Sequence, residues 1–296
     1  MRKAFINELI KQARINKNIY LLVADVGYNL VEPFQQEFPD RFVNVGIAEQ
    51  AMIGIASGLA LKGKQVFCYS LGNFPTLRCL EQIRNDVCYH NLPVIIVNAG
   101  AGLYYGALGS SHHATEDIAV MRALPNMTVI SPCDSIETVT YTEELCMLKT
   151  PSYLRLSGNE SEDYTSKVSI LNIDKVSIFA TGSIVGEALK ASKILGDKYP
   201  VISVSRIKPL MDREFFHNLV RKYCKTIFTV EEHNLSGGLG SAILEAISDM
   251  GLNTRVVRIG LQDKFCKEVG SQEYLRKING LDAESIANKI KGVLNG

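Results

Sequence analysis

The chain has 296 residues, of which 46% are hydrophobic and 21% charged, and its formal net charge is +1. Those proportions belong to a folded globular protein and exclude a disordered one. A near-neutral balance with no basic run gives no reason to expect nucleic acid or a membrane surface as partner, and no apolar stretch reaches the roughly 18 residues of a membrane span.

Helix and strand signals alternate from the first residue on, which predicts an α/β chain of two doubly wound domains with mostly parallel sheets. The opening run Met1-Arg2-Lys3-Ala4-Phe5-Ile6-Asn7-Glu8 reads as an amphipathic helix carrying an acid, not as a signal peptide. Helices then fit residues 3–16, 47–62, 75–90, 115–123 and 134–148. Strands fit Tyr20–Ala24, Gln65–Tyr69, Val94–Asn98, Met127–Ile130 and Tyr153–Leu156. Pro132 followed by Asp134 offers a stop and an N-cap. After Leu156 a polar stretch of eleven residues has no apolar period and reads as the interdomain connection. The expected layout is therefore a domain over 1–157, a linker over 158–174 and a second domain over 175–296. Strands in the second fall near Val176–Ala180, Val201–Val204, Thr226–Val230 and Arg255–Ile259.

The seven cysteines include no Cys-x-x-Cys pair, and their odd number and irregular spacing argue against a disulfide scaffold or a zinc site. Reduced thiols in the cytoplasm are the expectation, with no metal held by this chain.

Chemistry concentrates first in the segment Ile47–Leu61, rich in Ala and Leu, where Glu49 and Gln50 are the only strongly polar side chains besides Ser57. A helix apolar nearly all round is buried, and burial raises a carboxyl pKa unless a partner compensates. Two roles are open to Glu49: an acid-base group kept from water, or an acid that favours the helix dipole. A second concentration is Gly106-Ala107-Leu108-Gly109-Ser110-Ser111-His112-His113-Ala114-Thr115-Glu116-Asp117, a Gly-rich loop carrying histidines into a helix start.

The two runs, in this order, resemble the pyrimidine-binding domain of thiamin diphosphate enzymes, transketolases above all. The resemblance implies that Glu49 meets the aminopyrimidine ring and favours its imino tautomer, so that the thiazolium carbon can lose its proton. It implies an aromatic slot within Phe67-Cys68-Tyr69-Ser70-Leu71-Gly72-Asn73-Phe74, with Phe74 against the pyrimidine and Leu71 and Tyr69 as walls. Ordinary core packing remains open for Phe74. His112 aligns with the histidine that reaches the substrate, and His113 stands where Gln is usual. Glu116 and Asp117 are either part of that site or simply a helix start. The run Glu81 to Asp86 matches a helix at a subunit interface, and Gly54 and Gly58 give the Glu49 helix a side that a neighbour can approach closely.

No Gly-Asp-Gly occurs in the chain, whereas the family holds the diphosphate and its Mg2+ or Ca2+ through that motif and a following Asn. The resemblance thus covers the second half of a transketolase. It implies thiamin diphosphate as cofactor, an N-terminal partner subunit that brings the diphosphate-binding domain, self-association as α2β2, and no activity for this chain alone. The Gly-rich turn after Val230-Glu231-Glu232-His233 either cradles an anion on its amides or permits tight packing; in the family this domain supports dimerisation, and His233 is a candidate for the rim of the site.

Departures from the pattern bear on substrate. Leu108 stands where the family's Asp accepts a substrate hydroxyl, and a Leu cannot. Gly100 stands where a histidine is expected, Gly158 or Asn159 where an Arg is expected, and Asn29 where a serine is expected, leaving Arg2 as the remaining phosphate ligand. Each lost charge-assisted bond is worth about 1.5–3 kcal/mol. The substrate expected is not an ordinary pentose phosphate but an unphosphorylated or nucleotide-linked sugar, or a keto acid donor, with Tyr104 and Tyr105 either contacting it or packing the loop. The expected reaction is transfer of a two-carbon ketol or acyl unit to an aldehyde or ketone. The β subunit of a 2-oxo acid dehydrogenase, a deoxyxylulose phosphate synthase, and a non-catalytic regulatory protein on the same scaffold are the alternatives.

Overall fold

A computed structural model describes residues 1–157, 175–211 and 213–296. The polar connection expected over 158–174, and with it Gly158 and Asn159, lies outside these residues.

The first sheet has seven strands in the order β2-β1-β3-β4-β6-β5-β9: β1 (Ile19–Val23), β2 (Phe42–Asn44), β3 (Gln65–Leu71), β4 (Val94–Ala99), β5 (Thr128–Ile130), β6 (Ser152–Leu156) and β9 (Arg206–Lys208). All pairings are parallel except β5 with β9. The central strands β3 and β4 are apolar on both faces because helices cover both. On one face Val66 and Cys68 pack with Met52 and Ile53 of α3 (Glu49–Leu61). On the other, Phe67 and Tyr69 pack with Phe5 and Leu9 of α1 (Arg2–Ile15). The second sheet has the order β11-β10-β7-β8, all parallel, from β7 (Val176–Thr181), β8 (Val201–Ser203), β10 (Thr226–Asn234) and β11 (Arg255–Leu261). Around the sheets pack α2 (Glu32–Glu37), α5 (Asp117–Ala123), α6 (Ser135–Met147), α7 (Val185–Ile194), α8 (Arg213–Tyr223), α9 (Leu239–Asp249), α10 (Gln272–Ile278) and α11 (Ala283–Asn295).

The expected fold class is therefore the observed one, with local differences. The single helix expected over 75–90 is a 3-10 turn at Leu77–Cys79, a short α4 (Leu80–Gln82) and a π-helical stretch Ile83–Cys88. Pro75 at its start and the Cys79 thiol donating to the Phe74 carbonyl hold the entry away from regular helix. The strand expected to reach Val204 ends at Ser203, and the chain crosses to the first sheet as β9, where Ile207 fills that core. The α3 helix is not buried all round: Gln50, Ala51, Gly54, Ile55, Gly58 and Leu61 leave one side open. Among the described residues, nothing outside the adjoining backbone of α3 comes within 4 Å of a Cβ built on Gly54 or Gly58.

From β1 the chain first goes outward to β2 and then back past β1 to β3, so the strand order reverses between β1 and β3. In open parallel sheets the crevice beyond the strand ends at such a reversal is where ligands bind. The loops that leave β1, β3 and β4 there are Asp25–Asn29, Gly72–Phe74 and Gly100–His113.

Candidate active site

Glu49 is the first residue of α3, at the helix N-terminus, where an acid is favoured. Its side chain is 2% exposed. Arg78 Nη1 donates to Glu49 Oε2 at 2.8 Å, and the Ser70 hydroxyl donates to Oε1 at a long 3.4 Å. Gln50 Nε2 donates to the Arg78 carbonyl at 3.0 Å, fixing the turn that carries the arginine. The Arg78 guanidinium lies over the Phe74 ring, 4.2 Å from its centroid, a stacked cation–π contact. The His112 ring meets Phe74 edge-on, with centroids 5.1 Å apart. Glu49, Phe74 and His112, far apart in sequence, thus form one contiguous group, and Arg78 links them.

Gly72 makes this approach feasible. Its φ is +51°, and a Cβ there would lie 2.5 Å from the His112 carbonyl oxygen. Ser111 Oγ is 3.0 Å from His112 Nδ1, which leaves Nε2 as the ring nitrogen that can face a substrate. His113 turns the other way. It is 3% exposed, burial pushes its pKa down, and it lines a small cavity with Leu103, Cys266 and Asn279. Beside the group, burial first and then the Glu49 charge push the Cys79 thiol up to about 12, so it is no nucleophile.

Other expected residues are placed elsewhere. Tyr69 is fully buried on the opposite face of β3 from Ser70, stacked at 6.2 Å on Phe5, and burial pushes its phenol up. It does not join the Glu49 group. Leu71, half-buried at the end of β3, packs against the same Phe5 cluster. Arg2 Nη2 donates to the Tyr104 hydroxyl at 3.0 Å, and its charge acts on Tyr69 and Tyr105 as well. A Cβ on Gly100 would lie 2.1 Å from the Tyr105 ring, so the tyrosine occupies the space where the family pattern expects a histidine. Asn29 is exposed at a φ of +59° in the turn after β1, its backbone N–H donating to Glu32. Leu108 is 55% exposed on the histidine loop. His233 is not on any rim: it is fully buried, and its pKa is lowered to about 4, chiefly by burial.

Sequence reasoning missed Arg78, although it is the only positive charge between Gln65 and Ile83. A buried Glu needs a partner, and Arg78 is the one cation in the run that joins β3 to the next helical turns; Lys62 and Lys64 come earlier, at the end of α3. It also missed the buried junction below the site. There Asp117, fully buried, accepts from Arg155 Nε at 2.7 Å and from the Tyr153 hydroxyl at 2.5 Å, and Asn98 donates to the same hydroxyl. Asp117 is thus more than a favourable helix start.

A cavity of ≈ 690 Å³ lies away from this group, between β9, α8 and α9, lined by Lys208, Leu210, Phe216 and Glu245 among others. Among the described residues no group of three or more His, Cys, Asp or Glu side chains could hold a metal ion, and no helix is long and apolar enough to cross a membrane.

Residues 1–162 match the model of the family described as transketolase, pyrimidine binding domain, and residues 168–286 match that of transketolase, C-terminal domain. Among similar proteins, a chain of Methanocaldococcus jannaschii described as a transketolase C-terminal section is 39% identical over 98% of this chain and 95% of its own length. One subunit of the apulose-4-phosphate transketolase of Actinobacillus succinogenes is 37% identical, over 87% of this chain and 86% of that one. Among solved structures, a split-gene transketolase in the form of an inactive β4 tetramer superposes with a TM-score of 0.88 at 32% identity, covering 99% of this chain and 98% of that one.

Proposed function

Because the chain belongs to the transketolase family, we propose that it is the C-terminal subunit of a split transketolase, transferring a two-carbon ketol unit to an aldehyde acceptor with thiamin diphosphate. The observation that carries this reading is Glu49: a carboxylate 2% exposed, set beside Phe74 and His112 at the reversal point of a parallel sheet. The residues present fit the pyrimidine half of the cofactor. A flat ring needs an apolar face and a buried carboxylate, and Phe74 and Glu49 offer both. For the diphosphate and its Mg2+ or Ca2+ the described residues offer no ligand cluster, so these belong to the partner subunit.

When bound, the cofactor supplies a carbon nucleophile once its thiazolium proton has left. Glu49 would hold the pyrimidine ring through its carboxylate, which Arg78 anchors at Oε2 and Ser70 meets at Oε1 across a long 3.4 Å, and would exchange a proton with it. Proton transfer by a positioned side chain of this kind contributes about 10²–10⁴-fold. His112 presents Nε2 to the substrate's oxygens. Arg2, Tyr104 and Tyr105 line the approach from the other side of β3. With Tyr105 in the place where the family pattern expects a histidine, an anionic tail on the substrate would meet Arg2 with one fewer cation among the described residues. This supports a substrate other than an ordinary pentose phosphate; that a relative's name includes apulose 4-phosphate shows how far substrates of similar chains range.

Partner dependence has a direct test. Recovery of this chain from its host, with mass spectrometry of what accompanies it, should give a stoichiometric subunit carrying Gly-Asp-Gly and a following Asn. A chain recovered alone, which also fails to bind thiamin diphosphate, contradicts the proposal.

A further inference from the structure

The loop that carries His112 starts and ends at one point. Gly102 N–H donates to the Ala114 carbonyl at 3.0 Å and Ala114 N–H to the Gly102 carbonyl at 2.9 Å, an antiparallel bridge that closes residues 103–113 into a loop on a two-residue neck. Neither side of that neck is held by a surface contact. Leu103 N–H donates to Glu232 Oε1 at 2.6 Å. Glu232, at the far end of β10 in the second sheet, is 3% exposed. Its carboxylate also receives Gln272 Nε2 at 2.8 Å and the Arg276 guanidinium, both from α10, and Arg276 in turn donates to Ser183 at 2.9 Å. On the other side, Arg155 Nη2 donates to the Ala114 carbonyl at 2.8 Å and to the Glu232 carbonyl at 3.1 Å. A Cβ on Gly102 would lie 2.3 Å from Glu232 Oε1, so the neck is pressed directly onto the carboxylate.

We infer that Glu232 is a positioning residue for His112: the second sheet sets the placement of the histidine loop through this one carboxylate, with Gln272 and Arg276 locking its orientation. A buried charge that accepts from a main-chain N–H and from two side chains has no alternative orientation of similar energy, so the neck inherits its rigidity. Leu103 and His113 are also buried and Tyr104 is bonded to Arg2, but the stretch leading into His112 is open to solvent. Ala107, Leu108, Ser110 and Ser111 are exposed or nearly so, and Gly106 bonds to Gly270 of the segment before α10. Displacement of a reacting group by about 1 Å can cost on the order of 100-fold in rate. Only the consequence for catalysis rests on the functional reading above; the clamp itself does not.

The test is amide hydrogen exchange on the full chain, wild type against Glu232→Ala and Glu232→Gln, followed by kinetics of the complex with its partner. Glu232→Ala should speed exchange at residues 102–114 at least about tenfold, with β3, β4 and β7 unchanged. Glu232→Gln, which keeps an acceptor for Leu103 but turns an amide toward two donors, should fall between. In the complex, Glu232→Ala should lower kcat about 100-fold while the Kd for thiamin diphosphate, which rests on Glu49, Phe74 and the partner subunit's diphosphate site, stays put. Exchange that is unchanged at the loop, or that rises equally in both sheets, overturns the inference, as does a loss of cofactor affinity matching the loss of kcat. If Glu232→Ala does not fold, Gln272→Ala makes the same test by removing one of the two side-chain locks. A wild-type complex without ketol transfer, but with the loop loosened by Glu232→Ala, would sink the functional reading and leave the clamp standing.

Discussion

A carboxylate with almost no solvent exposure is unstable unless something answers its charge, and at Glu49 that answer is Arg78. The pair is asymmetric: Glu49 is 2% exposed and Arg78 43%. Water therefore screens part of the attraction, and the Coulomb contribution is smaller than in a pair buried on both sides. Removal of the arginine nonetheless strands a buried anion. Arg78→Met should lower the unfolding free energy of the chain by about 1–3 kcal/mol, read from urea midpoints at fixed pH. Arg78→Lys should recover only part of it, since a lysine restores charge but not the flat face on Phe74. A methionine variant within about 0.5 kcal/mol of wild type, the range of ordinary surface changes, would show that Glu49 is held by something else. Much of this site was legible in the chain itself. Glu49 stands out because nothing else in Ile47–Leu61 is so polar, and His112 because glycines precede it. Arg78 was not legible because its meaning lies in a tertiary contact, between the start of α3 and the 3-10 turn Leu77–Cys79. Tyr69 went astray for a related reason: residues adjacent on a strand face opposite sides of the sheet, and Ser70, not Tyr69, shares the side of Glu49.

Among the elements, those with strong periodicity and length were readable and the short ones were not. β3 and β4 declare themselves by unbroken apolar runs. β2 has three residues, none of them buried, and β9 is Arg-Ile-Lys, with only Ile207 inside. Such segments are strands because a neighbour's edge accepts them, and that acceptance is not encoded locally. α9 shows the opposite case, an element whose start depends on one remote carboxylate. The Gly-rich turn before it supplies no side-chain cap. Instead Glu231, fully buried on β10, accepts the N–H groups of Leu239 and Gly240 at 2.6 and 2.9 Å. Burial raises its pKa to about 7, against the bonds from Gly240 and Leu239 that pull it down. A folded pKa above the unfolded 4.5 means that the folded state binds the proton more tightly. The stability tied to that proton is complete below about 4.5 and is lost as pH rises to about 7. Glu231→Gln removes this titration. Its stability relative to wild type should therefore climb between pH 4.5 and 7 and then level off, by denaturant unfolding at several pH values. His233 nearby acts in the other direction: with its pKa lowered to about 4 by burial, stability is lost as pH falls from 6.5 toward 4. The two groups lie 3.9 Å apart, so the Glu231 effect is read above pH 6.5, where the His233 contribution is already complete. A difference that does not change with pH would show that the Glu231 carboxyl does not titrate in this way.

For the molecule as a whole, the two sheets are joined by buried charge and not only by apolar contact. Asp117, Arg155, Glu232 and Arg276 are each at most 8% exposed at the side chain, and β9 carries the second half of the chain onto the edge of the first sheet. Such a junction is costly to desolvate and strongly directional, which suits a protein whose second half must hold the first half's loop in place. Composition alone announces a folded globular protein, and the alternation of helix and strand signals announces the α/β class. The proposed partner that completes the site is inferred from the absence of Gly-Asp-Gly from the sequence, and recovery of the chain with that partner tests it. If Glu49 serves thiamin diphosphate within a two-subunit transketolase, its carboxylate must be indispensable to turnover and dispensable to assembly. The measurement that bears on this most directly is ketol transfer by this chain joined to its partner, wild type against Glu49→Gln, with sedimentation to show that the assembly is intact. Turnover should fall by at least about 100-fold, within the usual range for loss of a proton-transfer group, while the complex stays whole. A Glu49→Gln complex that turns over at the wild-type rate would contradict the cofactor role of Glu49.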